Sequence, residues 1–322
     1  MTADTLVDVA GLTKHYPVRK GLFGGEVARV RAVEDVSFSI RRNEVLGLAG
    51  ESGSGKSTIG RLLLRLIEPT TGSVAFDGES VGAMTPRGLQ EFRRRAQIIF
   101  QDPFASLDPL MTVGEAIAEP LRIQGLARGA ELEDRVASLL DAVALPRDFV
   151  GRPPDALSGG QRQRVVIARA LAVGPSFIVA DEPVSALDVS IQAQILALIE
   201  TLRAERSLSM LFISHDIAVM EYVSDRIAVL YLGRLMEIGP AADVVGSPRH
   251  PYTEALVSAV PGQGSRGRIL LKGDIPNAMN PPSGCVFRTR CPYAIEDCAA
   301  TVPALREVAP GHFKACIRDD RP

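Results

Sequence analysis

The stretch VLGLAGESGSGKSTIGRLLL, residues 45–64, constrains this chain more than any other. VLGLAG reads as a short buried strand, and TIGRLLLRLI over 58–67 reads as a helix with a broad apolar face. GESGSGKST over 50–58 joins them and fits G-x-x-x-x-G-K-[ST] in the strand–loop–helix setting that the pattern requires. Gly50, Gly53 and Gly55 let the backbone wrap closely around phosphate. Consecutive N–H groups across Glu51, Ser52, Ser54 and on to Thr58 then point at its oxygens. The new helix adds its positive dipole end at the same place. Lys56 is expected to reach the β- and γ-phosphates, and the Ser57 hydroxyl to ligate Mg²⁺. A chance Gly-Ser turn is the bland alternative, and the flanking strand and helix argue against it. The loop reads as a nucleotide site.

At 322 residues the chain has room for one large domain and a small one. Its 36 Lys+Arg balance 38 Asp+Glu, so there is no basic footprint for nucleic acid. No uninterrupted apolar run reaches the length of a membrane span, and the N-terminus lacks a signal-peptide pattern. The expectation is a protein kept in the cytosol that meets any membrane through a partner. AQIIF at 96–100, FIVA at 177–180, MLFIS at 210–214 and IAVLYLG at 227–233 are further strand candidates. VEDVSFSIRRNE and GSVAFDGESV read as antiparallel strands with turns. Segments of helical period lie between 113 and 172, which points to a helical subdomain over roughly 103–172 inserted in an α/β core. From about residue 240, Pro- and Gly-rich stretches (PRHPY, PGQGSRGR, NPPSG) suggest a linker and a small C-terminal module.

Two further segments suit phosphate chemistry. PSFIVADEP places Asp181 and Glu182 at the end of an apolar strand. Asp181 is placed to hold Mg²⁺ and Glu182 to polarise an attacking water, while an acidic pair at a helix N-terminus is the competing reading. LSGGQRQR over 157–164 is a helix start that Ser158 can cap, with Gly159 and Gly160 leaving amides open to an anion. The chain thus has two anion-accepting helix starts but one lysine-bearing loop.

On these residues the sequence resembles the nucleotide-binding subunits of ABC transporters, over essentially its whole length. Leu157, Ser158, Gly159, Gly160 and Gln161 match the family's signature motif. Tyr16 in LTKHYP matches the aromatic that stacks on adenine, and Gln101 in IIFQDP the Q-loop glutamine, a Mg²⁺ ligand with Ser57 and Asp181. Ser185, Ala186, Leu187 and Asp188 match the D-loop, and His215 in FISHD the switch histidine. The resemblance implies a P-loop NTPase cassette over 1–240, with a RecA-like core, an antiparallel β subdomain and the helical insertion. It implies head-to-tail pairing of two cassettes, with ATP between one loop and the other's signature motif.

HYPVRKGLFGG, QDPFASLDPLMTVGEAI, DEPVSALDVSIQAQ and SPRHPYTEAL followed by NPPSGC resemble the oligopeptide/dipeptide importer ATPases, and the N-terminus resembles their F-type subunit. That implies a heterodimer with a D-type ATPase, two transmembrane permeases and an extracytoplasmic substrate-binding protein. The chain would sit at the cytoplasmic face of the cell membrane, with the stretch after Gln101 meeting the permeases. The branch also transports nickel, glutathione and some sugars. A soluble ABC ATPase of DNA repair or translation is a rival, but such chains usually carry two cassettes or a long coiled coil. A redox- or metal-sensing regulator is another. HPYTEAL taken alone is an ordinary Pro-started helix.

All four cysteines fall in the tail, at spacing C-x5-C-x6-C-x17-C. The tight knuckles of structural zinc sites are absent, and a cytosolic setting argues against disulfides. Four thiols in a Pro/Gly-rich module too small for its own core suggest a cofactor acting as staple. Family members resembling this tail, over 241–322, hold a 4Fe-4S cluster, and Cys285, Cys291, Cys298 and Cys316 match its ligands. Zn²⁺ or unligated thiols are the alternatives. Arg288 and Arg290 lie between the first two cysteines, to offset thiolate charge or to face solvent.

Overall fold

The computed structural model describes residues 4–20, 25–260 and 268–319. Residues 21–24 of HYPVRKGLFGG and most of PGQGSRGR lie outside the described residues. The chain divides into two compact units, one of Met1–Ile40, Val45–Gly82 and Ser214–Pro322, the other of Arg41–Glu44 and Ala83–Ile213.

In the first unit an antiparallel sheet runs in the order Gly25–Arg41, Thr5–Lys20, Thr71–Phe76, Glu79–Ser80. Val7 stands opposite Phe76 and Val9 opposite Val74. All four are buried, while Asp8 and Ala10 turn outward, as a half-covered strand of period two requires. The same unit contains the strands Arg306–Ala309, His312–Lys314, Arg234–Pro240, Arg226–Tyr231 and Val45–Ala49, side by side in that order. Val45–Ala49 and Arg226–Tyr231 pair in parallel. Their continuous apolar runs, VLGLA and IAVLY, fit strands covered on both faces.

The loop helix is shorter than its apolar spacing predicts. It spans Lys56–Leu63 and not 58–67, because Arg65 takes a left-handed φ of 49° and turns the chain out. The Arg65 guanidinium then bonds Glu68 and the Val81 carbonyl.

The second unit holds three parallel strands, Ser209–Ile213, Phe177–Asp181 and Ala96–Ile99, with helices Val113–Ile123, Gly129–Ala142, Gly159–Leu171 and Val189–Arg206. Helix Val113–Ile123 starts with a reciprocal cap between Thr112 and Glu115. It buries Val113, Ala116, Ile117 and Leu121, the spacing of one helical face. No helix among the described residues is long and apolar enough to cross a membrane.

Candidate functional site

The loop at 50–58 owes its shape to backbone that only glycine supplies. Gly50 (φ 151°) would bring a Cβ within 2.2 Å of the Leu230 carbonyl oxygen, and Gly55 (φ 104°) one within 2.2 Å of the Ala32 carbonyl oxygen. At Gly53 a Cβ would meet nothing within 4 Å, so the loop is open on that side. Lys56 is buried, and its Nζ donates to the carbonyls of Gly50 (2.7 Å) and Glu51 (3.0 Å). The Ser54 Oγ is buried without a hydrogen-bond partner, whereas its carbonyl accepts from Gly233 N–H at 2.9 Å. A glycine cradle, a lysine beneath it and an unsatisfied hydroxyl fit a polyphosphate. Tyr16 stands half-exposed in the same unit, with the Lys14 ammonium 5.1 Å from its ring centroid. His215 is exposed just before helix Ile217–Val223, which Asp216 caps through Ala218 N–H.

The second unit brings the carboxylate pair and Gln101 together. Asp181 is buried and is the last residue of its strand, in register with Ile213. Glu182 follows at φ 49°, a left-handed turn that directs its side chain away from the strand. Its Oε2 accepts from Gln101 Nε2 at 3.0 Å. At the signature helix, Ser158 Oγ accepts from Gln161 N–H (3.3 Å) and Gln161 Oε1 accepts from Ser158 N–H (3.0 Å). Gln161 is therefore half of a capping box, a role its spacing from Ser158 encodes. Gly160 has no room for a side chain, since a Cβ would sit 2.5 Å from Ile191 Cγ2 on helix Val189–Arg206. Leu187 covers Gly159, and Asp188 caps that second helix by accepting from Ile191 N–H at 3.0 Å. This hydrogen bond, with that from Ser190, holds the Asp188 carboxyl below its ordinary range.

Past Gln101, Asp102 Oδ1 accepts from Phe104 N–H, and the segment leaves Phe104 63% and Leu110 92% exposed.

The cysteine segment borrows a core. Phe287 is fully buried, with its ring 5.2 Å from those of both Tyr231 and Tyr252. Cys285, Val286 and Cys298 belong to the same cluster. The sequence expectation of a module needing a staple for want of a core is thus met in part by the unit's own core. Cys285 N–H donates to the Cys298 carbonyl (2.8 Å), so those two positions adjoin. Burial raises the Cys285 thiol and pushes Cys291 up to about 11, with the other cysteines adding to both. Four thiols in one segment are soft donors, of the kind a sulfur-ligated cofactor takes. Yet among the described residues no three His, Cys, Asp or Glu side chains gather closely enough to hold a metal ion.

Two residues outside 50–58 hold the phosphate loop, and sequence reasoning gave neither of them that role. Tyr252 Oη accepts from Glu51 N–H at 2.9 Å. Arg290 grips the Glu51 carboxylate with two nitrogens, at 2.6 and 3.1 Å, and its Nη1 lies 3.5 Å from Tyr231 Oη. Arg290 is neither a thiolate counter-charge nor a solvated residue, as read from its position, but an ion-pair partner of the loop. Arg288 bonds the Ser283 carbonyl and is half-buried. HPY proves more than a helix start, because His250 Nδ1 accepts from Tyr252 N–H and Tyr252 reaches the loop.

Comparison with known proteins bears on these features together. Residues 33–185 match the ABC transporter family, and residues 236–298 match the oligopeptide/dipeptide transporter C-terminal region. A Brucella ovis protein named for peptide import and ATP binding is 57% identical, covering 99% of this chain and 100% of its own. The oligopeptide transport ATP-binding protein AppF of Bacillus subtilis is 47% identical, covering 97% of each chain. A dimeric ATP-binding cassette, MJ0796, solved in a post-hydrolysis state with ADP and phosphate, is 32% identical with a TM-score of 0.65. That likeness covers 73% of this chain and 99% of the cassette.

Proposed function

We infer the work of this chain from one premise: it belongs to the ATP-binding subunits of ABC transporters, in their oligopeptide and dipeptide import branch. It binds and hydrolyses ATP, and that hydrolysis powers peptide import through membrane permease subunits. The observation that carries the reading is the glycine-built loop with Lys56 buried beneath it and Ser54 Oγ unsatisfied.

Each site residue then takes a role. Amides of residues 50–58 cradle the phosphates, Lys56 reaches the β- and γ-phosphates, and the Tyr16 ring stacks on adenine. Glu182 acts as general base for the attacking water, and Gln101 Nε2 donates to its carboxylate. His215 contacts the γ-phosphate. Residues 157–161 receive the ATP of a second cassette, and 185–188 form the D-loop beside them. Ser57, Asp181 and Gln101 offer hydroxyl, carboxylate and amide oxygens to Mg²⁺, which when bound neutralises charge on the phosphates.

Three finer readings complete the proposal. The chain divides into a cassette over 1–240, its helical subdomain at roughly 103–172, and an extension over 241–322. Its second cassette is a D-type ATPase, and two permeases dock on the exposed apolar stretch around Phe104 and Leu110. That docking places the chain on the cytoplasmic face of the membrane, with a substrate-binding protein outside. Cys285, Cys291, Cys298 and Cys316 hold a 4Fe-4S cluster of structural role, supported by their soft donor chemistry and by the Cys285 N–H bond to the Cys298 carbonyl. Anaerobic protein should contain iron and sulfide in equal amounts, and zinc in their place would overturn the cluster. The transport reading is tested with proteoliposomes bearing the assembled transporter. Labelled peptide should enter only with ATP, and Glu182→Gln should abolish entry. Uptake of nickel or glutathione without peptide would reassign the substrate.

A further inference from the structure

Within the phosphate loop, Glu51 is the one carboxylate. A loop that presents amides, a lysine and a helix N-terminus to an anion gains nothing from a negative charge at its second position. The structure shows how that charge is held. Arg290 Nη1 meets Glu51 Oε2 at 2.6 Å and Nη2 meets Oε1 at 3.1 Å, so both carboxylate oxygens are occupied. The two side chains are 9% and 25% exposed, so solvent screens the pair weakly.

The backbone that carries the guanidinium is itself fixed. Arg290 N–H and Cys291 N–H both donate to the Phe287 carbonyl at 3.0 Å, which makes residues 287–291 a tight turn. Phe287 locks that turn into the aromatic cluster of Tyr231 and Tyr252. Tyr252 in turn accepts the Glu51 N–H, so backbone and side chain of one loop residue are held by one cluster. A bidentate fork imposes orientation as well as charge, which a lysine ammonium would not do.

We propose that Arg290 is a positioning residue for ATP binding: by neutralising and orienting Glu51, it lets a loop that contains a carboxylate accept a polyphosphate. The claim rests on the reading of 50–58 as the ATP site and adds to it a residue from the cysteine segment. If Arg290 served folding alone, its loss would cost affinity whatever stood at position 51. If it neutralises Glu51, the cost disappears when the carboxylate is removed.

The test is a double-variant cycle on the full-length chain, read as the Kd of a fluorescent Mg-ATP analogue with thermal melting alongside. Arg290→Ala should weaken binding about tenfold or more. In the Glu51→Gln background the same Arg290→Ala change should cost less than about twofold. Equal losses in both backgrounds, or no loss in either, overturn the proposal. If Arg290→Ala does not fold, Arg290→Lys is read in its place. It should bind about threefold more weakly, again only while Glu51 is present, and an unchanged Kd overturns the proposal. Lys56→Ala is the separate control. Unchanged affinity there removes the ATP reading of the loop itself, a failure distinct from that of the Arg290 cycle.

Discussion

The phosphate loop is shaped by its own backbone, whereas the cysteine segment is shaped by side chains far from it in sequence. Gly50 and Gly55 take backbone angles and close approaches that a Cβ would forbid, so glycines within 50–58 set the course of the turn, and Tyr252 and Arg290 hold Glu51 from outside it. Residues 284–298 depend instead on Phe287, packed among Tyr231 and Tyr252, and on Arg290, paired with Glu51. The contrast separates two kinds of failure. Damage to the loop strikes chemistry first. Damage to the cysteine segment strikes stability first, and reaches chemistry only through Arg290.

Four perturbations break or sharpen that contrast, from the largest effect to the smallest. Phe287→Ala removes a fully buried ring and should cost about 3–5 kcal/mol of unfolding free energy by denaturant titration. A cost under about 1 kcal/mol would make the segment an appendage and not part of the core. Lys56→Ala should weaken ATP about a hundredfold, near 2.7 kcal/mol, with the melting temperature little changed. A large fall in melting temperature would instead assign this buried lysine a structural role.

The third concerns His250, whose pKa burial lowers to about 3, with the Lys314 charge adding to it. The unfolded chain binds this proton below about 6.5 and the folded chain does not. Stability should therefore be full above pH 6.5 and fall by about 1.4 kcal/mol per unit as pH drops towards 3. His250→Gln should flatten that slope, and an unchanged slope would contradict the assignment to His250. Last, Ser158→Ala should cost about 1 kcal/mol through loss of the signature-helix cap. Such a cost with unchanged ATP turnover would confine Ser158 to capping.

The loop, the parallel strands and the cap at Ser158 were legible because each is set by residues close together in the chain. Period, turn chemistry and motif spacing all report local structure. The loop helix was overextended by four residues because apolar spacing continues through Leu64 and Leu66, although Arg65 has already turned the chain. Arg290 was legible only in part. Its partner lies 239 residues away, beyond any periodicity. One signal did exist: a carboxylate inside an anion-binding loop is a local conflict that calls for a counter-charge from elsewhere. Tyr252 was hidden for the opposite reason, since HPY already had a sufficient account as a helix start.

The central claim is that this chain hydrolyses ATP with Glu182 as base for the site built on 50–58. Steady-state ATP turnover by the assembled transporter, wild type against Glu182→Gln, measures it most directly. The account predicts a fall in kcat of about a hundredfold or more, with ATP binding retained. An unchanged kcat would contradict it.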